Sequence, residues 1–341
     1  MATMDQDELC EALNAISFKH KGIYFETNLT SPEVIDNVEH MEIRDGDVFL
    51  VTYPKSGTIW TQQILSLIFN EGHRNRTEEI QTMDRVPWLE FKFNNVDYNS
   101  RPSPRLFSTH LPYYLMPKDL RFRMGKIIYV SRNPKDVLVS YYHFLQMKSQ
   151  IKCTINWETF IDLFISGKVF GSSWFDHLRG WYQHKEDFDI LFLTYEEMIK
   201  QIAETAQSCQ QRVLRREIKV LMLRQQVEVA GGEIGSVRDL RSAVLKICKF
   251  VDIKLDDKAI DIVVEKATFK NMKHDPLANY TFVSNEHLDK NKGSFLRKGI
   301  VGDWKTTMTV AQSEMFDKVY KEKMGDLPIK ITWDFNEETA S

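Results

Sequence analysis

The chain has 341 residues, 43% of them apolar and 27% charged, which is ample material for one large α/β domain. Its 45 basic and 48 acidic residues leave a net charge of −3, a balance that gives no support to a general nucleic-acid binder but leaves room for one local anion pocket. No apolar run reaches the roughly 20 residues of a membrane helix, and the four scattered cysteines contain no C-x-x-C pair.

The opening MATMDQDELCEALN has neither the basic nor the apolar segment of a secretory signal, so a cytoplasmic protein without membrane attachment is expected. Asp47–Tyr53 (DVFLVTY) is an apolar, β-branched run and reads as a buried strand ended by Pro54 and Gly57. The following TIWTQQILSLIF places Trp60, Ile64, Leu67 and Ile68 on one helical face. The pattern repeats: Lys126–Val130 is a strand, Ser131 to Pro134 a turn, and DVLVSYYHFLQM a helix. Asp189–Tyr195 (DILFLTY) is a third strand. Strands alternating with helices predict an α/β fold, a single domain with a central parallel β-sheet flanked by helices and a ligand site beyond the carboxyl ends of the strands.

One stretch breaks this order. Gln201 to Arg238 is rich in glutamine, its centre is apolar nearly all round, and its end, VAGGEIGSVR, is loop-like, so it reads as an atypical insertion at 201–238 in a domain spanning 1–341. Beyond it DLRSAVLKICKF has a good helical period.

The loop Tyr53-Pro54-Lys55-Ser56-Gly57-Thr58 joins a strand to a helix. The free N–H groups and dipole of the helix start, a glycine that permits close backbone approach, two hydroxyls and a lysine make a phosphate cradle. An ordinary turn with a solvated lysine is the other reading of the loop taken alone. It is not a Walker A loop, since no glycine stands at the required earlier position, which disfavours a nucleotide kinase.

Five segments taken together, Thr52–Trp60 (TYPKSGTIW), Thr109–Pro112 (THLP), Arg132–Asp136 with Ser140–Tyr142, Phe295–Gly299 with Gly302–Trp304, and Lys305-x-x-x-Thr309-Val310-x-x-x-Glu314, resemble in their order the motifs of the cytosolic sulfotransferases, in wording closest to the amine branch. The resemblance covers the chain from about Phe25 to Phe335, apart from the insertion. It implies transfer of a sulfonate group from 3′-phosphoadenylyl sulfate (PAPS), leaving PAP, to the amine or hydroxyl of a small, largely apolar acceptor, with the loop at Lys55 as a P-loop-like phosphosulfate site. It implies that His110 is the general base and that Lys55 offsets charge on the leaving oxygen. It assigns Lys55, Ser56, Gly57 and Thr58 to the phosphosulfate end of the donor, Ile59 to cofactor binding in the same loop, and Arg132, Ser140, Phe295, Leu296, Arg297, Lys298 and Gly299 to the 3′-phosphate and its loop. Trp60 and Phe269 would flank the adenine, with Tyr195, Thr268 and Met272 beside it. Phe25, Trp88 and Phe144 would line the acceptor pocket together with Ser108, which stands where many relatives carry lysine. Lys148 takes the place of an acidic residue that grips cationic amines in some relatives, which disfavours a permanently charged amine. Lys305, Thr309, Val310 and Glu314 would form a small, labile homodimer contact. No metal is implied. The rival expectation is a protein that binds PAPS but is catalytically weak, because of the insertion or of Ser108.

Overall fold

The computed structural model describes residues 3–4, 6–70, 79–92, 98–152, 154–199 and 234–335. Four parallel strands, β1 (Val48–Thr52), β2 (Leu106–Thr109), β3 (Lys126–Ser131) and β4 (Ile190–Thr194), lie in the order β2-β1-β3-β4. Leu50 of β1 sits opposite Ser108 on one side and Ile128 on the other, and Tyr129 opposite Phe192. All five residues of β1 are buried, as expected of a parallel strand covered on both faces.

Alternation along β1 divides the interior in two. Val48 and Leu50 pack with Ile64, Leu67 and Ile68 of helix α1 (Thr58–Ile68) and with Val244 and Val263 from the helices Ile234–Phe250 and Asp257–Lys266. Phe49 and Val51 belong to the opposite cluster, with Val137 and Val139 of helix α2 (Pro134–Gln146) and with Phe160 and Trp181. An antiparallel hairpin, Ser17–His20 with Ile23–Glu26, lies outside this sheet. Helix α2 begins on Asn133, whose side chain accepts from the N–H groups of Lys135 and Asp136, with Pro134 in the first turn.

The three strands expected from the sequence are present, the first and third shorter by one residue at each end and the second, Lys126–Ser131, longer by one. The fourth, β2, carries only LFST and was hidden by its brevity. The helix Ile234–Phe250 starts inside the segment read as loop, so the final turn of the 201–238 interval is helical. Residues 201–233 lie outside the described residues. Among the described residues no helix is long and apolar enough to cross a membrane.

Candidate active site

The residues singled out in the sequence follow the carboxyl ends of the four strands. Tyr53 to Gly57 follow β1, His110 follows β2, Arg132 follows β3, and Tyr195 follows β4. The parallel arrangement therefore brings them to one rim, around a cavity of about 330 Å³.

The loop after β1 holds two residues with left-handed backbone, separated by Ser56. Lys55 takes φ +70° and Gly57 φ +100°. A Cβ on Gly57 would stand 2.8 Å from the Tyr195 ring, so only glycine fits. Ser56 is fully buried and its Oγ has no hydrogen-bond partner. Arg132 donates from its two terminal nitrogens to the carbonyls of Lys55 (3.2 Å) and Ile300 (3.1 Å), lies over the Tyr195 ring at 4.2 Å, and keeps an unpartnered buried Nε. Lys55 Nζ sits between the rings of Phe144 (4.3 Å) and Phe295 (4.4 Å). Burial, and then the neighbouring charges of Arg132, Arg297 and Lys148, push the Lys55 ammonium down to about 7.

The opposite wall is closed by the segment after Leu296. Gly299 has φ +67°, and a Cβ there would meet the Phe269 ring at 2.4 Å. Arg297 and Lys298 both pair with Asp303. Thr268 caps the short helix Phe269–His274. Trp60 Nε1 donates to the carbonyl of Ala267 at 2.8 Å, and its ring meets Tyr195 edge-on at 5.3 Å.

His110 is positioned from three sides. Its backbone N–H donates to Glu90 Oε1 at 2.7 Å, its carbonyl lies 3.1 Å from His177 Nε2, and its ring lies 4.6 Å from that of Trp88. Nδ1 is 2.7 Å from the Thr52 carbonyl oxygen. A carbonyl can only accept, so Nδ1 carries the proton and Nε2 keeps its lone pair. Burial pushes the imidazole down to about 3, so the ring is neutral at physiological pH.

Of the residues expected at the site, Lys55, Gly57, Thr58, Ile59, Trp60, Arg132, Ser140, Tyr195, Thr268, Phe269, Met272, Phe295, Leu296, Arg297, Lys298 and Gly299 line the cavity, together with His110, Phe25, Trp88 and Phe144. Ser56 lies beneath the loop. Ser108 is the correction. It does not line the cavity: it is fully buried, its Oγ accepts from Gln62 Nε2 at 2.7 Å and donates to the Val86 carbonyl at 3.2 Å, and it locks β2 to helix α1.

Three contributors escaped the sequence reading. Glu90 is buried beside His110, one carboxylate oxygen unpartnered, and burial raises it to about 7. Tyr280, at φ +63°, accepts from Trp88 Nε1 and donates to Gln62. Glu26 pairs with Lys148 in the wall of the cavity. The only signal for Glu90 and Glu26 was polarity inside the aromatic segments WLEF and IYFE, which spacing alone does not separate from surface residues.

A rim of cations at the end of a parallel sheet, a buried hydroxyl and a guanidinium nitrogen left without partners, and two glycines with no room for a Cβ make a site built for a polyanion, joined to an aromatic chamber that holds a neutral imidazole. That is the outline of a group-transfer enzyme with a phosphorylated donor. A sulfotransferase-domain family profile matches residues 45–219 and 237–328. The amine sulfotransferase of Oryctolagus cuniculus is 48% identical over 94% of this chain and 95% of the relative, and sulfotransferase 2B1 of Homo sapiens 36% identical over 98% and 81%. Among solved structures, mouse sulfotransferase SULT7A1 complexed with PAP is 28% identical with a TM-score of 0.66, covering 91% of this chain and 95% of that one. A retinol dehydratase complex with androsterone and PAP, 21% identical, shares the fold with a TM-score of 0.72 over 96% of each chain. The chain belongs to the sulfotransferase family, whose members draw sulfonate from PAPS. The profile's gap, 220–236, falls inside the interval read as an insertion.

Proposed function

We propose that this sulfotransferase moves sulfonate to the hydroxyl or amine of a small, largely apolar acceptor, with His110 as the general base. One observation carries the reading: the lone-pair nitrogen of a neutral imidazole shares its cavity with Lys55, Arg132 and Arg297 on one side and with Phe25, Trp88 and Phe144 on the other. PAPS supplies an electrophilic sulfuryl group with PAP as its leaving group.

Each side chain then has a distinct task. The Lys55 loop and the first N–H groups of helix α1 hold the phosphosulfate end, where Ser56 Oγ is buried without a partner. Arg132, Ser140, Arg297, Lys298 and Gly299 hold the 3′-phosphate, the guanidinium forks suiting its oxygens. Trp60 and Phe269 flank the base, with Tyr195, Thr268 and Met272. Lys55 offsets the negative charge that grows at the head of its loop in the transition state, where stabilisation accelerates the reaction. His110 Nε2 takes the acceptor's proton, and the Thr52 carbonyl steadies the proton already on Nδ1.

The acceptor wall favours apolar rings: Phe25 stacks on Phe18 at 5.6 Å, and Phe144 meets Phe295 edge-on at 5.5 Å. Assembly follows from the exposed C-terminal motif. Lys305, Thr309, Val310 and Glu314 are all exposed, Val310 to 76%, and Thr309 caps the helix Val310–Met324. A two-fold contact of this size gives a labile homodimer. The test of the function is a PAPS-dependent transfer assay across phenols and aryl amines: donor-dependent product with wild type and its loss in His110→Ala support the reading, and turnover unaffected by that substitution refutes it.

A further inference from the structure

The acceptor end of the cavity contains a buried ion pair whose halves come from two separate walls. Glu26 closes the hairpin strand Ile23–Glu26, and Lys148 stands two residues beyond helix α2. Lys148 Nζ lies 2.7 and 2.6 Å from the two Glu26 carboxylate oxygens, with side chains only 4% and 6% exposed, and both residues line the cavity. The lysine also lies 5.2 Å from the Phe144 ring, and its backbone bridges to Leu288, in the segment that closes this end.

A clamp between the hairpin and helix α2 is the plainer role. A buried pair is a poor clamp, however, because desolvation of both charges offsets most of their attraction, and an apolar pair of similar volume serves as well or better. What the pair contributes that an apolar one does not is two opposite charges held within the wall of an aromatic chamber, each satisfied by the other.

We propose that the Glu26–Lys148 pair sets the charge class of the acceptor: closed, it presents a neutral wall that admits uncharged aromatic acceptors, and each of its halves is a masked counter-ion. The inference rests on the sulfotransferase reading above. An acceptor bearing an ammonium or a carboxylate enters this end without a counter-ion and loses its hydration. Removing Lys148 frees the Glu26 carboxylate for an ammonium. Removing Glu26 frees the Lys148 ammonium for a carboxylate. This refines the expectation from Lys148 alone, since its charge is spent on Glu26.

The experiment compares kcat/KM at saturating PAPS for three phenols of one skeleton: 4-ethylphenol, tyramine and 4-hydroxyphenylacetate. Wild type is expected to prefer 4-ethylphenol. Lys148→Met should raise the tyramine to 4-ethylphenol ratio by about tenfold or more, the worth of a hydrogen bond to a charged group. Glu26→Gln should raise the 4-hydroxyphenylacetate ratio to a similar degree. Ratios within about twofold of wild type in either folded variant would overturn the proposal. Should both single variants misfold, the double variant, which leaves no charge unpaired, should keep the wild-type order of preference, and a changed order overturns the proposal. If wild type sulfonates none of the three, the sulfotransferase reading is at fault, and the pair is still tested by calorimetric binding of the same phenols to PAP-loaded protein.

Discussion

Gly299 offers a perturbation whose size can be worked from coordinates. An added Cβ would lie 2.4 Å from the Phe269 ring, where ordinary contact starts at 3.4 Å, so Gly299→Ala must push the ring or the loop by about 1 Å. The φ of +67° adds backbone strain, about 1–2 kcal/mol for a residue with a Cβ. Gly302 provides the control: its φ is +85°, but a Cβ there meets Asp334 at 3.5 Å, an ordinary contact. Gly302→Ala should therefore lose about 2 °C in melting temperature from backbone strain alone, and Gly299→Ala more, because the overlap with Phe269 adds to that strain. Only Gly299→Ala should lose PAP affinity, by about tenfold to a hundredfold, because a displacement of about 1 Å at a positioning group costs that much. Calorimetric titration with PAP on both variants, beside thermal unfolding, makes the comparison. Equal PAP affinity in the two variants would refute the argument that the Phe269 ring needs the space left by glycine.

His110→Ala should retain PAP binding and lose about 10²–10⁴-fold in turnover, and His110→Gln should not restore it, because an amide takes no proton; single-turnover kinetics reads both. Lys55, depressed to about 7, is charged below that pH and neutral above it, whereas a bound polyanion favours the charged form. PAP binding at pH 8 should therefore take up a proton in wild type and not in Lys55→Met, which calorimetry in buffers of different ionisation enthalpy measures; binding without proton uptake would sink the assignment. Val310→Glu should yield monomers on light scattering with activity retained, and an unchanged dimer would remove the C-terminal motif from assembly.

The lining of the proposed donor half was legible because its residues sit in short contiguous runs. A strand, a glycine turn and a helix start in TYPKSGT suggest an anion cradle, and the parallel sheet gathers this turn with the others at one rim. The acceptor half was not. Glu26 and Lys148 are 122 residues apart and meet only through the fold. Ser108 shows the opposite error. A matching backbone position was taken to imply a matching task, but a short hydroxyl there is captured by Gln62 and the Val86 carbonyl. The strand Leu106–Thr109 went unseen because four residues are too few for alternation to register.

Asp136 has a consequence for the order in which the protein comes to exist. Its buried carboxylate accepts from the backbone N–H groups of Gly302 (2.8 Å) and Trp304 (3.0 Å), while Arg132 holds the Ile300 carbonyl, each link spanning more than 160 residues. The sheet and its first loop are complete in the chain by Thr194, but the wall carrying Arg297 to Gly299 lies in the last fifth of the polypeptide and is held through Ile300, Gly302 and Trp304 to Arg132 and Asp136. Closures of such long range come late, since the entropy of the intervening loop must be met first. A nascent or truncated chain ending before Ile300 thus has the loop at Lys55 but lacks the anchors that seat the opposing wall. On the proposed function, PAP should stabilise the finished protein and do little for its fragments.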